Sequence, residues 1–83
     1  MNINEEALKI YEELPHGAKS LTAEKYGCAN FYIRELLSKV TTPKETMIEL
    51  MEKMIESSEE IEKQTSERIK NMRVIFEEIM TTV

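Results

Sequence analysis

The stretch KSLTAEKYGCANFYIRELLS, residues 19–38, decides how this chain folds. It reads as two short helices separated at Gly27. A glycine inside a helix costs roughly 1 kcal/mol against alanine, so one placed between two helical runs marks a corner. Two short helices crossing at about 90–120° through a tight turn need a small residue where they touch, and Ala23 supplies it. The turn itself needs a residue that tolerates positive φ, which Gly27 does. Cys28 is small and apolar enough to plug the turn. Ile33 and Leu36 line the inner face of the helix that follows.

Working toward the N-terminus, a first helix is expected from Asn4, a good N-cap, with Glu5 and Glu6 favourably placed in its first turn. Ile3, Ala7, Ile10 or Tyr11, and Leu14 recur at helical spacing. Pro15 ends that helix, and His16 and Gly17 make a connection. The second helix then spans Lys19 or Ser20 to Tyr26. The third spans about Asn30 to Lys39, with Ile33, Leu36, Leu37 and Val40 on its apolar face. Further on, Thr42 is placed to cap, Pro43 suits a first helical position, and Glu45 closes a capping box.

From Lys44 to Val83 there is neither Gly nor Pro, so no strong signal stops a helix. The weakest point, Ser57-Ser58, is the candidate break or bend, and the stretch reads as one helix or two. Ile48, Met51, Ile55, Ser58, Glu62, Thr65, Ile69, Met72, Phe76, Ile79 and Val83 alternate spacings of three and four, a heptad pattern with a polar middle. Met47, Ile48, Leu50, Met51, Met54 and Ile55 are expected against the first three helices. Ile69, Met72, Phe76, Ile79 and Val83 form a second stripe, for which a partner copy is the natural cover. The competing arrangement has the last helix folding back to complete one small core. No run alternates with period two, and no hairpin dipeptide occurs. The expected fold is therefore all-α. A helix-turn-helix bundle of about four helices occupies residues 1–56, and a long self-associating helix occupies residues 57–83.

The chain has 83 residues and a net charge of −5, which argues against indiscriminate nucleic-acid binding. The charge is unevenly spread. Residues 15–44 carry five basic side chains against two acidic ones, and residues 45–83 carry ten acidic against five basic. A basic middle between acidic arms is what a phosphate backbone would meet locally. With one cysteine, Cys28, no disulfide forms within the chain, which fits a reducing compartment. The acidic N-terminus resembles neither a signal nor a transit peptide, and no apolar run reaches the 18 or so residues of a membrane span. A cytoplasmic protein is expected, with no membrane partner.

The Ala23–Gly27–Cys28–Ile33–Leu36 frame resembles the helix-turn-helix of phage-repressor-like, or lambda-repressor-like, transcriptional regulators. The resemblance covers about residues 4–56, including SKVTTPKETMIELMEKM, which is similar to the loop and fourth helix those domains place after the recognition helix. Three positions depart from the pattern: Thr22 replaces an aliphatic, Ala29 a Ser or Thr, and Lys39 a Gly. With Ala29 in that place, Asn30 is a candidate cap for the third helix.

The resemblance implies a sequence-specific regulator of double-stranded DNA, whose second motif helix enters the major groove. Its size suits a phage or other mobile element. By the same resemblance, the outward positions are Ala29, Asn30, Phe31, Arg34, Glu35 and Ser38. Asn30 is suited to adenine, Arg34 to guanine or a phosphate, and Phe31 to a thymine methyl. Tyr32 either reaches a phosphate or packs on the first helix, and burial in the core is an equal alternative for both Phe31 and Tyr32. Lys19 and Ser20 would offer backbone N–H groups and a cation to a phosphate, and Lys39 and Lys44 would flank as backbone contacts.

The rival reading is a protein-interaction adaptor, such as an antirepressor, an antitoxin-like partner or an inhibitor of a host protein, built on the same scaffold. Catalysis is not expected. One His and one Cys make no recognisable zinc site. The Glu pairs at 5-6, 12-13, 59-60 and 77-78 do not share helix faces as carboxylate dyads would. No glycine loop suited to phosphate is present. No metal, cofactor or small-molecule ligand is implied.

Overall fold

The computed structural model describes residues 3–62 and 67–81. These form five helices, α1 (Ile3–Glu12), α2 (His16–Tyr26), α3 (Asn30–Ser38), α4 (Lys44–Glu62) and α5 (Glu67–Thr81), and among the described residues no strand occurs. The described region is all-α, as the periodicity predicts.

The corner forms at Gly27, with φ 91° and ψ 31°. The Gly27 and Cys28 N–H groups both donate to the Ala23 carbonyl, at 2.8 and 3.1 Å. This closes α2 and turns the chain into α3. Cys28 packs against the core from a half-buried position. Thr22 is fully buried. Its hydroxyl donates to the Ala18 carbonyl at 2.7 Å, which makes burial of the polar atom tolerable.

Several local expectations are corrected. Helix α2 starts at His16, about a turn earlier than expected, because Pro15 initiates it: the Pro15 carbonyl accepts from Ala18 and Lys19 N–H at 2.9 and 3.2 Å. Gly17 therefore lies inside the helix. A Cβ there would sit 3.4 Å from Ile61 Cδ1, so glycine lets α2 approach the end of α4.

Asn4 is not a cap of its own helix, since α1 already includes Ile3. It reaches across the fold, and its Nδ2 donates to the Leu37 and Lys39 carbonyls at 3.0 and 2.9 Å. Thr42 likewise turns back, donating its hydroxyl to the Leu36 carbonyl. These two side chains occupy the C-terminal carbonyls of α3, which no intrahelical donor satisfies. Lys39 follows with φ −93° and ψ 123°, ordinary extended backbone, so no glycine is required there. Val40 lies beyond α3 and is 75% exposed, not on its apolar face.

Helix α4 runs unbroken through Ser57 and Ser58. Both are fully buried, and neither hydroxyl has a partner among the described residues. Met47, Leu50, Met51, Met54 and Ile55 are buried and Ile48 is partly so. The helix packs chiefly on α2 and α5 and touches α3.

The C-terminal part decides between one helix and two. A forty-residue helix would be about 60 Å long at 1.5 Å per residue, but the longest dimension of the molecule is 32 Å. Residues 44–62 and 67–81 are the two helices α4 and α5, and α5 packs on both α4 and α1. Arg73 pairs with Glu59 across α4 and α5. Ile69 and Met72 are fully buried and Ile79 is nearly so, within one copy of the chain. Phe76 lies at the edge of the core, while Ile75 takes the inward position. Val83 and Thr65, both part of the heptad reading, lie outside the described residues. The side chains buried from α5 belong to the same core as those from α1 to α4.

Candidate functional site: the outer face of α3

Helix α3 buries Ile33 and Leu37 completely and turns Phe31, Arg34, Glu35 and Ser38 outward. Its N-cap is Ala29, in extended conformation, and no side chain caps it. Asn30 is thus the first helical residue rather than the cap. Phe31 is 65% and Tyr32 46% exposed, so neither ring is core. Phe31 borders an open groove of about 310 Å³ shared with Leu8, Arg34, Glu35 and Ser38. Ser38 donates its hydroxyl to the Glu35 carbonyl at 2.9 Å.

The outward polar side chains are held by the end of α1. The Tyr11 hydroxyl, on a fully buried ring, donates to Asn30 Oδ1. Burial pushes the Tyr11 pKa up to about 12, with Cys28 and Glu12 adding to the rise and Arg34 opposing it. The phenol therefore stays protonated and donating at neutral pH. One residue on, Glu12 accepts a hydrogen bond and ion pair from Arg34 Nε. Sequence reading missed both partners, because they lie 19 and 22 residues away along the chain. A Tyr-Glu pair at the end of a helix carries no motif that would announce them.

The other predicted contacts are dispersed. Lys19 lies in the second turn of α2, and its N–H is already bonded to Pro15, so the backbone donor assigned to a phosphate there is used internally. Ser20 and Ala29 are exposed, as are Lys39 and Lys44 beyond α3. Among the described residues, Lys19 and Lys39 have no ion-pair partner. The basic middle of the sequence is partly offset in space. Lys25 pairs with Glu60 at 2.7 Å and lies 3.8 Å from Glu56, and Arg34 pairs with Glu12. Burial raises the pKa of the Cys28 thiol, the opposite of what a reactive cysteine requires. Burial, then Glu49, Cys28 and Tyr32, also raises that of Tyr26.

Among the described residues, no cluster of three or more His, Cys, Asp or Glu is placed to hold a metal ion. No described helix is long and apolar enough to cross a membrane. Comparison with protein-family models, curated proteins and solved structures finds no match for this chain.

Proposed function

We propose that the chain is a sequence-specific DNA-binding regulator that reads duplex DNA with the outer face of α3. The observation that carries this reading is the corner at Gly27. It sets α3 against the body of the protein with its inner face buried and Asn30, Phe31, Arg34, Glu35 and Ser38 turned outward. A helix with such an exposed outer face fits the major groove. Phe31 offers an apolar surface to a thymine methyl, and Arg34 offers donors to guanine. Lys39 and Lys44, just beyond the helix, supply charge for phosphates.

Recognition of an inverted repeat requires two copies, with half-sites about 34–36 Å apart or a multiple of that. Most of the stripe assigned to pairing is used inside the fold. The outer edge of α5, where Phe76 is half-buried and Met80 is 52% exposed, is the surface left for a second copy. Selection of bound duplexes from a random pool at physiological salt tests the proposal. An enriched sequence lost on Arg34→Ala and Asn30→Ala supports it, and no enrichment refutes it.

A protein partner is the second reading. What favours it is that Arg34, on the same helix as the exposed rings of Phe31 and Tyr32, is already paired with a carboxylate, Glu12. Stable 1:1 capture of a protein through Phe31, without DNA affinity, would decide for it.

A further inference from the structure

We infer that Tyr11 and Glu12 are positioning residues that make the two polar readers of α3 present donors only, so that the cognate half-site is read at two positions through base acceptors, with guanine opposite Arg34. The inference rests on the DNA-binding reading above.

The geometry is one of paired holds. Tyr11 and Glu12 are consecutive at the C-terminal end of α1, and Asn30 and Arg34 are one turn apart on α3. The Tyr11 hydroxyl takes Asn30 Oδ1. An amide carries its oxygen and nitrogen on opposite sides of one carbon, so turning Oδ1 toward a buried phenol leaves Nδ2 as the outward group. The two-point contact with adenine needs Oδ1 and Nδ2 both turned to the base, and here Oδ1 is turned to the phenol. The outward amide donates instead, to a major-groove acceptor such as purine N7, guanine O6 or thymine O4.

Glu12 holds Arg34 through Nε alone. Among the described residues the two η nitrogens make no hydrogen bond, and the side chain is 55% exposed. A guanidinium gripped at Nε keeps its remaining fork for the O6 and N7 acceptors of guanine, the commonest specific arginine contact. The location of Glu12 also argues against a role in helix stability. A carboxylate at a helix C-terminus faces the negative end of the dipole, so it is misplaced for α1 and well placed for Arg34.

The test is a base-preference profile of the full chain. Wild type, Tyr11→Phe, Glu12→Gln, Arg34→Ala and the Glu12→Gln/Arg34→Ala double variant are each selected against a random duplex pool. Affinities for the enriched operator and its single-base variants are then measured by fluorescence anisotropy, with thermal melts confirming each fold. Glu12→Gln is expected to cut the guanine preference at one position from about tenfold or more, the scale of a two-point contact, to a few-fold. Its affinity for unrelated DNA should not change. The double variant should be no worse than Arg34→Ala. Tyr11→Phe should relax the other position only. A merely structural role for either residue would weaken all positions together, and that outcome overturns the inference. So does a Glu12→Gln profile equal to wild type, or one that tightens binding to every sequence alike. If wild type enriches no sequence, the DNA reading itself falls, which is a separate and recognisable result.

Discussion

Gly27 and Tyr11 are the two residues on which the helix pair depends most directly. At Gly27 an added Cβ would meet nothing within 4 Å, so the penalty of a substitution there is backbone strain alone. A non-glycine residue in the left-handed region costs roughly 1–2 kcal/mol. Gly27→Ala is expected to lose about that much in urea unfolding, while Gly27→Asn, which tolerates this conformation better, loses less. An equal loss for both would place the cause in packing. Tyr11 carries a pH signature. Its pKa rises from 10.0 to about 12 on folding, so the native chain keeps a proton that the unfolded chain releases. The stability tied to this group is complete below pH 10 and is lost as pH climbs toward 12. In Tyr11→Phe that loss is absent. Melts of both proteins between pH 9 and about 12 should converge as pH rises, and a constant gap would mean that the hydroxyl is not buried as described.

Helix α3 is short and receives much of its definition from other elements. Asn4 and Thr42 satisfy its last carbonyls, and Tyr11 and Glu12 hold its first turns. Asn4→Ala is expected to cost about 1 kcal/mol, the scale of a typical intramolecular hydrogen bond, since it removes a half-buried amide that bonds the Leu37 and Lys39 carbonyls. The loss should be seen as faster amide exchange localised to α3 and the loop after it. Uniform exchange across the fold would refute this role. Asn4 also shows how far sequence alone reaches. An asparagine near a helix start reads as its cap, and nothing local says that its amide spans 33 positions to cap another helix. The corner at Gly27, the inner face of α3 and the packing stretch of α4 were legible, because each follows from spacing within a few turns. The groups that hold Asn30 and Arg34 were not, because those contacts are tertiary. Phe31 and Tyr32 were ambiguous for the same reason: an aromatic residue at helical spacing suits core and surface equally until the neighbouring helix is placed.

At the scale of the whole molecule, the question is what covers the apolar stripe of α5. Heptad spacing brings Phe76 into register with Ile69, Met72 and Ile79, the pattern expected of a seam between two chains. The fold departs from that register at one position, burying Ile75 and moving Phe76 to the edge. A helix lodged against two neighbours, α1 and α4, needs a wider and slightly rotated face than a two-stranded seam provides. Each copy therefore supplies its own cover for Met72. Met72→Ala is expected to cost about 2–5 kcal/mol, the range for truncating a core methionine, and by the same amount at low and high protein concentration. Met80→Glu, on the exposed edge, should leave the dilute protein equally stable and weaken only self-association, measured by sedimentation. A Met72→Ala loss that shrinks on dilution would mean that a second copy covers the stripe, since only stability shared between copies depends on concentration.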